Sequence, residues 1–163
     1  MSTSWSTTRA SCCSGRSAPT SGTTTGAWSR STLLGALTST EVFLDQLKAG
    51  GGDIVNISSV AGRTARAGNG VYAATKWGLN GWSKSLRREL LPDVRVTLIE
   101  PGAVATELPT HITHAETKQG AEALYSQVEV TAEDIAEVIA FAVGRPRRLA
   151  IHEILLRPAG QEL

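Results

Sequence analysis

Disulfide chemistry is the first thing this sequence lacks. Its 163 residues hold two cysteines, Cys12 and Cys13, and they are neighbours. Adjacent cysteines rarely bridge, and two in all cannot form the framework that staples a small secreted domain. No apolar run approaches the length of a bilayer-spanning helix. The N-terminus has no basic stretch followed by an apolar core, so no secretory signal is read there and a cytoplasmic location is expected. A dominant charge is missing as well, because 16 Lys and Arg against 15 Asp and Glu leave +1. That balance gives no general attraction to nucleic acid or to a membrane surface. His111 and His114 stand three apart with no third ligand evident, so a lid role or plain solvent exposure is expected rather than a metal centre. Ser58 and Ser59 are not framed by a G-x-S-x-G elbow, which removes the usual hydrolase nucleophile.

What is present divides into two unlike parts. Residues 1–32 contain seventeen Ser or Thr and no acid, the first acidic residue being Glu41. No apolar period of two or 3.6 runs through them, so this segment is expected to be disordered or irregular. From Leu33 the pattern changes. Leu33, Leu34, Leu37, Val42, Phe43 and Leu47 line one broad helical face that ends at Gly50-Gly51-Gly52. Residues 53–58 form a β-branched run read as a buried strand. A long helix is expected over 71–91, stopped by Pro92. A second strand follows at 94–99, then a polar stretch over 103–129. Thr131 and Asp134 carry a capping signature for a helix to about residue 143, and 150–156 reads as a last strand. Strand, helix, strand, helix, strand in these lengths predicts an α/β fold with a parallel sheet.

One constellation carries chemistry. Tyr72 and Lys76 lie four apart at the start of the long helix, on one face and about one turn from each other. Ser59 stands thirteen residues before Tyr72, at the C-terminal end of a predicted strand, which is the edge where open α/β sheets bind ligands. A free tyrosine has a pKa of about 10, too high for proton exchange at neutral pH. A nearby ammonium favours the phenolate and lowers that value. Such a tyrosine can protonate a developing alkoxide or deprotonate an alcohol, and a neighbouring serine hydroxyl can orient the substrate oxygen. A packed tyrosine and a solvated lysine would give the same pair, so the pair alone is a weak signal.

The joint pattern is specific. Gly52-Asp53-Ile54-Val55-Asn56-Ile57-Ser58-Ser59-Val60-Ala61-Gly62, the Tyr72/Lys76 pair at its distance, and Glu100-Pro101-Gly102 followed by Thr106 resemble the short-chain dehydrogenase/reductase family. The resemblance covers Gly52 to Pro158. It implies the C-terminal half of a Rossmann-type sheet and an NAD(P)-dependent oxidoreductase acting on a carbonyl or alcohol. It implies Ser59, Tyr72 and Lys76 as catalytic residues. Tyr72, Lys76, Pro101, Gly102 and Thr106 would face the cofactor, with Lys76 on the nicotinamide ribose and Thr106 on the carboxamide. Thr106-Glu107-Leu108, His111-Ile112-Thr113-His114, Asp134-Ile135-Ala136-Glu137 and His152-Glu153-Ile154 with Arg157-Pro158 are similar to the clavulanic acid dehydrogenase-like bacterial reductases. That similarity implies NADP(H) more than NAD(H), and an aldehyde or ketone substrate. A homo-oligomer built on the helices near 33–49 and 71–91 is implied too. Trp77 and Trp82 would lie in that interface or, more simply, in the core.

Two family features are missing. No strand, Gly-rich turn and helix stand ready to hold a pyrophosphate; Gly50-Gly51-Gly52 precedes a strand instead of opening a helix. The N-N-A-G motif and the family's asparagine are absent, and Ser31 and Thr32 stand where that asparagine is expected. Residues 1–32 read as an out-of-frame translation. Read one base out of register, Ser2 to Arg16 can spell D-V-L-V-N-N-A-G-I-M-L-L-G-P, and Thr25 to Thr32 can spell W-R-M-V-E-V-N before Leu33 resumes the frame. The alternative to an active oxidoreductase is therefore a truncated, non-catalytic fragment that acts at most as a binding partner.

Overall fold

A computed structural model describes residues 29–66, 69–105 and 128–161. A π-helical turn, Ser29–Leu34, runs into helix α1, Gly35–Gly50. Strand β1 (Asp53–Ile57), a 3-10 turn (Val60–Gly62) and helix α2 (Gly70–Leu90) follow. Strand β2 (Arg95–Pro101), helix α3 (Ala132–Val143) and strand β3 (Glu153–Leu156) complete the described chain. The strands form one parallel sheet in the order β1-β2-β3, the expected α/β arrangement of Rossmann type. Helical structure begins inside the segment expected to be irregular. Thr32 is buried there, and Leu33 packs on Gly78 of α2. Of residues 1–32, read as out of frame, 1–28 lie outside the described residues.

Local chemistry explains most boundaries. Helix α1 ends because Gly51 takes a left-handed conformation (φ 65°) and its N–H closes on the Leu47 carbonyl. The triple glycine is thus a helix stop. Helix α2 ends at Leu91, which is extended before Pro92. Helix α3 opens on a full capping box: the Thr131 N–H donates to Asp134 Oδ2 at 2.7 Å and the Asp134 N–H to Thr131 Oγ1 at 3.3 Å.

Strand β2 is central and every residue of it is buried. Strand β1 alternates, with Ile54 and Asn56 buried and Ile57 exposed. Among the described residues it pairs with β2 alone, so it is half-covered rather than buried on both faces. Leu86 and Leu90 of α2 pack on Ile54, Val94 and Val96, with Leu44, Leu47 and Trp82 against them. Trp82 is thus a core residue, whereas Trp77 is 53% exposed. Val42 and Phe43 of α1 and Phe141 of α3 also face outward.

One arginine closes the N-terminal edge of the sheet. Arg95 and Asp53 are register partners at the starts of β2 and β1. Arg95 Nε donates to Asp53 Oδ1 at 2.6 Å and Nη2 to Oδ2 at 2.9 Å. The same guanidinium donates to the carbonyl of Val143, left without a helical partner at the end of α3, and to those of Arg145, Pro146 and Leu149 in the turn after it. Its pKa is raised, first by the Asp53 bond and against the effect of burial.

Candidate active site

Because the sheet is parallel, β1 and β2 deliver their C-terminal ends to one edge, with Ile57 in register with Ile99. Ser59 follows β1 directly. It is extended (φ −170°, ψ 162°), and its hydroxyl oxygen accepts the Ala61 N–H at 3.1 Å, capping the 3-10 turn. A hydroxyl that accepts one bond still has its own proton to donate.

Helix α2 begins two residues before Tyr72, so Tyr72 and Lys76 occupy its first turns at this edge. Tyr72 is half-buried. Lys76 is 3% exposed, and its ammonium donates to the Ile57 carbonyl at 2.8 Å. A lysine is seldom so buried unless its charge is engaged. Its Nζ lies 5.7 Å from the centre of the Tyr72 ring. The structure therefore brings Tyr72 and Lys76 together and fixes Lys76 at the strand end, two residues from Ser59.

Pro101 ends β2, and the Gly102 N–H donates to the Leu156 carbonyl at 2.7 Å. Gly102 has no room for a side chain beneath Gln161 and Arg157, so its backbone is bound to β3 and the tail beyond it. Thr106, His111 and His114 lie outside the described residues. Thr32, where the family's asparagine is expected, has a buried hydroxyl with no hydrogen-bond partner among the described residues.

A buried polar network joins these pieces, and the sequence reading did not single it out. Asn80, two turns beyond Tyr72, accepts the Ser58 hydroxyl at 2.5 Å and donates to Glu100 Oε1 at 2.7 Å and to the Gly62 carbonyl at 3.2 Å. Glu100 is wholly buried. It also accepts Arg63 Nε at 2.8 Å and Nη2 at 2.5 Å. Arg63 continues to Glu153, which meets Lys84 and Arg87 as well. The Arg63 pKa is raised, chiefly by its bond to Glu100. Burial pushes the Glu153 carboxyl up, but Lys84, Arg63 and Arg87 more than offset it, so Glu153 titrates below the usual carboxylate range. The available signal was spacing: 72, 76 and 80 fall on one helical stripe. An open groove of about 360 Å³ beside this network is lined by Gly62, Arg63, Trp77, Asn80, Gly81 and Lys84.

Comparison with known proteins decides the family. The short chain dehydrogenase family profile matches residues 16–117, a span that includes part of the Ser/Thr-rich segment. The chain belongs to the short-chain dehydrogenase family. An uncharacterized oxidoreductase of Staphylococcus saprophyticus is 35% identical over 115 residues, which are 69% of this chain and 46% of that protein. The NADP-dependent 3-hydroxy acid dehydrogenase of Schizosaccharomyces pombe is 39% identical over 112 residues, 68% of this chain and 43% of that protein. The closed form of a serine dehydrogenase complexed with NADP+ superimposes with a TM-score of 0.81 at 29% identity, covering 92% of this chain and 62% of that one. This short-chain dehydrogenase chain therefore spans about half the length of the curated relatives it matches. Among its described residues no cluster of His, Cys, Asp and Glu could hold a metal ion, and no helix is long and apolar enough to cross a membrane.

Proposed function

We propose that this chain carries the proton-handling half of an NAD(P)-dependent oxidoreductase that reduces an aldehyde or ketone, or oxidises the corresponding alcohol. The observation that supports this reading most is the buried Lys76 ammonium, held at the Ile57 carbonyl and 5.7 Å from the Tyr72 ring, at the ligand-binding edge of a parallel sheet. Tyr72 gives the proton to the developing alkoxide. Lys76 electrostatically favours the phenolate that this transfer leaves. Ser59, with its hydroxyl proton available, orients the substrate oxygen.

The residues present fit the nicotinamide end of a cofactor. Lys76 would bind the ribose hydroxyls, Thr106 the carboxamide, and Tyr72, Pro101 and Gly102 would line the ring's place. The bound nicotinamide supplies the hydride. NADP(H) is favoured over NAD(H), because one relative is named as NADP-dependent and one structural neighbour is complexed with NADP+. No Gly-rich phosphate turn stands in the sequence, so cofactor binding by this chain is weak and turnover poor or absent. A homo-oligomer built on α1 and α2 would cover Val42, Phe43 and Trp77, all exposed in the single chain. Sedimentation of the purified chain tests that assembly.

The second reading, a non-catalytic fragment that binds a partner, is favoured by the single pairing of β1 among the described residues and those outward apolar residues. NADPH fluorescence titration of the chain separates the two. Saturable binding that Lys76→Met abolishes supports the oxidoreductase; no binding at millimolar NADPH supports the fragment.

A further inference from the structure

The strand ends and the helix that carry the proposed site are separate pieces of chain, and a single carboxamide is bonded to both. Asn80 makes three bonds that use both its donors: its oxygen accepts the Ser58 hydroxyl, and its two N–H groups go to Gly62 and Glu100. Ser58 and Gly62 bracket Ser59 and the 3-10 turn. Glu100 directly precedes Pro101-Gly102. One turn earlier on α2 sits Lys76, tied to Ile57. One turn later, Ser83 Oγ accepts Asn56 Nδ2 at 2.8 Å. Three successive turns of α2 are thus fastened to Ile57, Ser58 and Asn56, at the end of β1 and just beyond it, with Asn80 in the middle.

The orientation of the amide is determined. Rotated by half a turn, its oxygen would face the Glu100 carboxylate, and the Ser58 hydroxyl would lose its acceptor. The surroundings are fitted to it as well, since a Cβ on Gly62 would come within 2.6 Å of Asn80 Nδ2 and 3.0 Å of Ser58 Oγ. Glu100, with no water access, takes its compensating donors from Asn80 and Arg63.

We propose that Asn80 is a positioning residue: held by Glu100, it sets the spacing between α2 and the end of β1, and through that spacing the placement of Lys76 against Tyr72 and of both against Ser59. The proposal rests on the Tyr72–Lys76 reading of the site, so its test must report on that pair without requiring turnover. The chain has two tyrosines. In the full chain carrying Tyr125→Phe, the 13Cζ resonance of Tyr72 is followed against pH in four forms: the parent, Lys76→Met, Asn80→Leu and Ser58→Ala. Lys76→Met is expected to raise the Tyr72 midpoint by about one pH unit through loss of the nearby cation. Asn80→Leu, nearly isosteric, is expected to raise it at least half as far with the circular dichroism spectrum retained. Ser58→Ala, which removes one of the three bonds, is expected to move it in the same direction. A merely structural Asn80 would lower stability and leave the midpoint in place. The proposal is overturned if Lys76→Met moves the midpoint while folded Asn80→Leu and Ser58→Ala do not. Should Asn80→Leu fail to fold, Ser58→Ala decides alone. A midpoint unmoved by Lys76→Met refutes the Tyr72–Lys76 reading itself, and this proposal with it.

Discussion

Replacing Arg95 by methionine removes a buried cation that serves two clients at once. The first is the Asp53 carboxylate, held by the Nε–Nη2 edge of the guanidinium at 2.6 and 2.9 Å. The second is the set of carbonyls at the end of α3 and in the turn after it. Breaking a buried pair from one side costs about 3–5 kcal/mol, because the remaining charge stays behind unpaired. Asp53 keeps partial relief: its side chain is 27% exposed, and Arg147 stands at 3.5 Å. The expectation for Arg95→Met is therefore the lower end, about 3 kcal/mol. Arg95→Lys recovers only part of this, since an ammonium cannot make the bidentate contact and reach the carbonyls together. Urea unfolding followed by circular dichroism measures the loss. With a slope of about 1–3 kcal/mol/M, the midpoint should fall by about 1–3 M. An Arg95→Met unfolding free energy within about 0.5 kcal/mol of the parent's, the range of an ordinary surface substitution, would refute the view that this guanidinium closes the sheet edge.

Three further outcomes follow from the same contacts. Glu153 has a folded pKa below its ordinary value of 4.5, so the unfolded chain binds more protons there. Its contribution is full above that value and is lost as pH falls through the lower folded one, and Glu153→Gln should flatten the dependence of unfolding free energy on pH in that acid window. Gly62→Ala forces a methyl group against Asn80 and Ser58, and differential scanning calorimetry should register a loss of about 1–3 kcal/mol. Thr131→Ala removes the side-chain half of the α3 capping box, an expected loss of about 1 kcal/mol by chemical denaturation, with faster amide exchange confined to the first turn of that helix.

Periodicity and capping made the element order legible. The Thr131 and Asp134 spacing forecast a cap that the structure contains in full, and the triple glycine forecast the stop of α1. The adjacency of Tyr72 and Lys76 was legible because they are one turn apart, and helix geometry alone joins them. Partners far apart in sequence were not. Asn80 and Glu100 lie twenty residues apart and meet because parallel pairing brings the end of β2 beside α2. Arg95 reads as an ordinary charged residue in an alternating strand, yet it is 4% exposed, and its carbonyl partners come from a turn about fifty residues on. Trp77 and Trp82 show the limit of composition. Five positions place them on different sides of one helix, so one packs in the core and the other faces outward.

The proposed site requires Ser59, Tyr72 and Lys76 to converge at the sheet edge, and isotope-edited NOE spectroscopy of the chain, with serine, tyrosine and lysine labelled, tests that convergence directly. Cross-peaks from the Tyr72 ring to both the Lys76 ε-protons and the Ser59 β-protons are the expected result. A Tyr72 ring that contacts neither, in a chain whose β1–β2 pairing is intact, would contradict it.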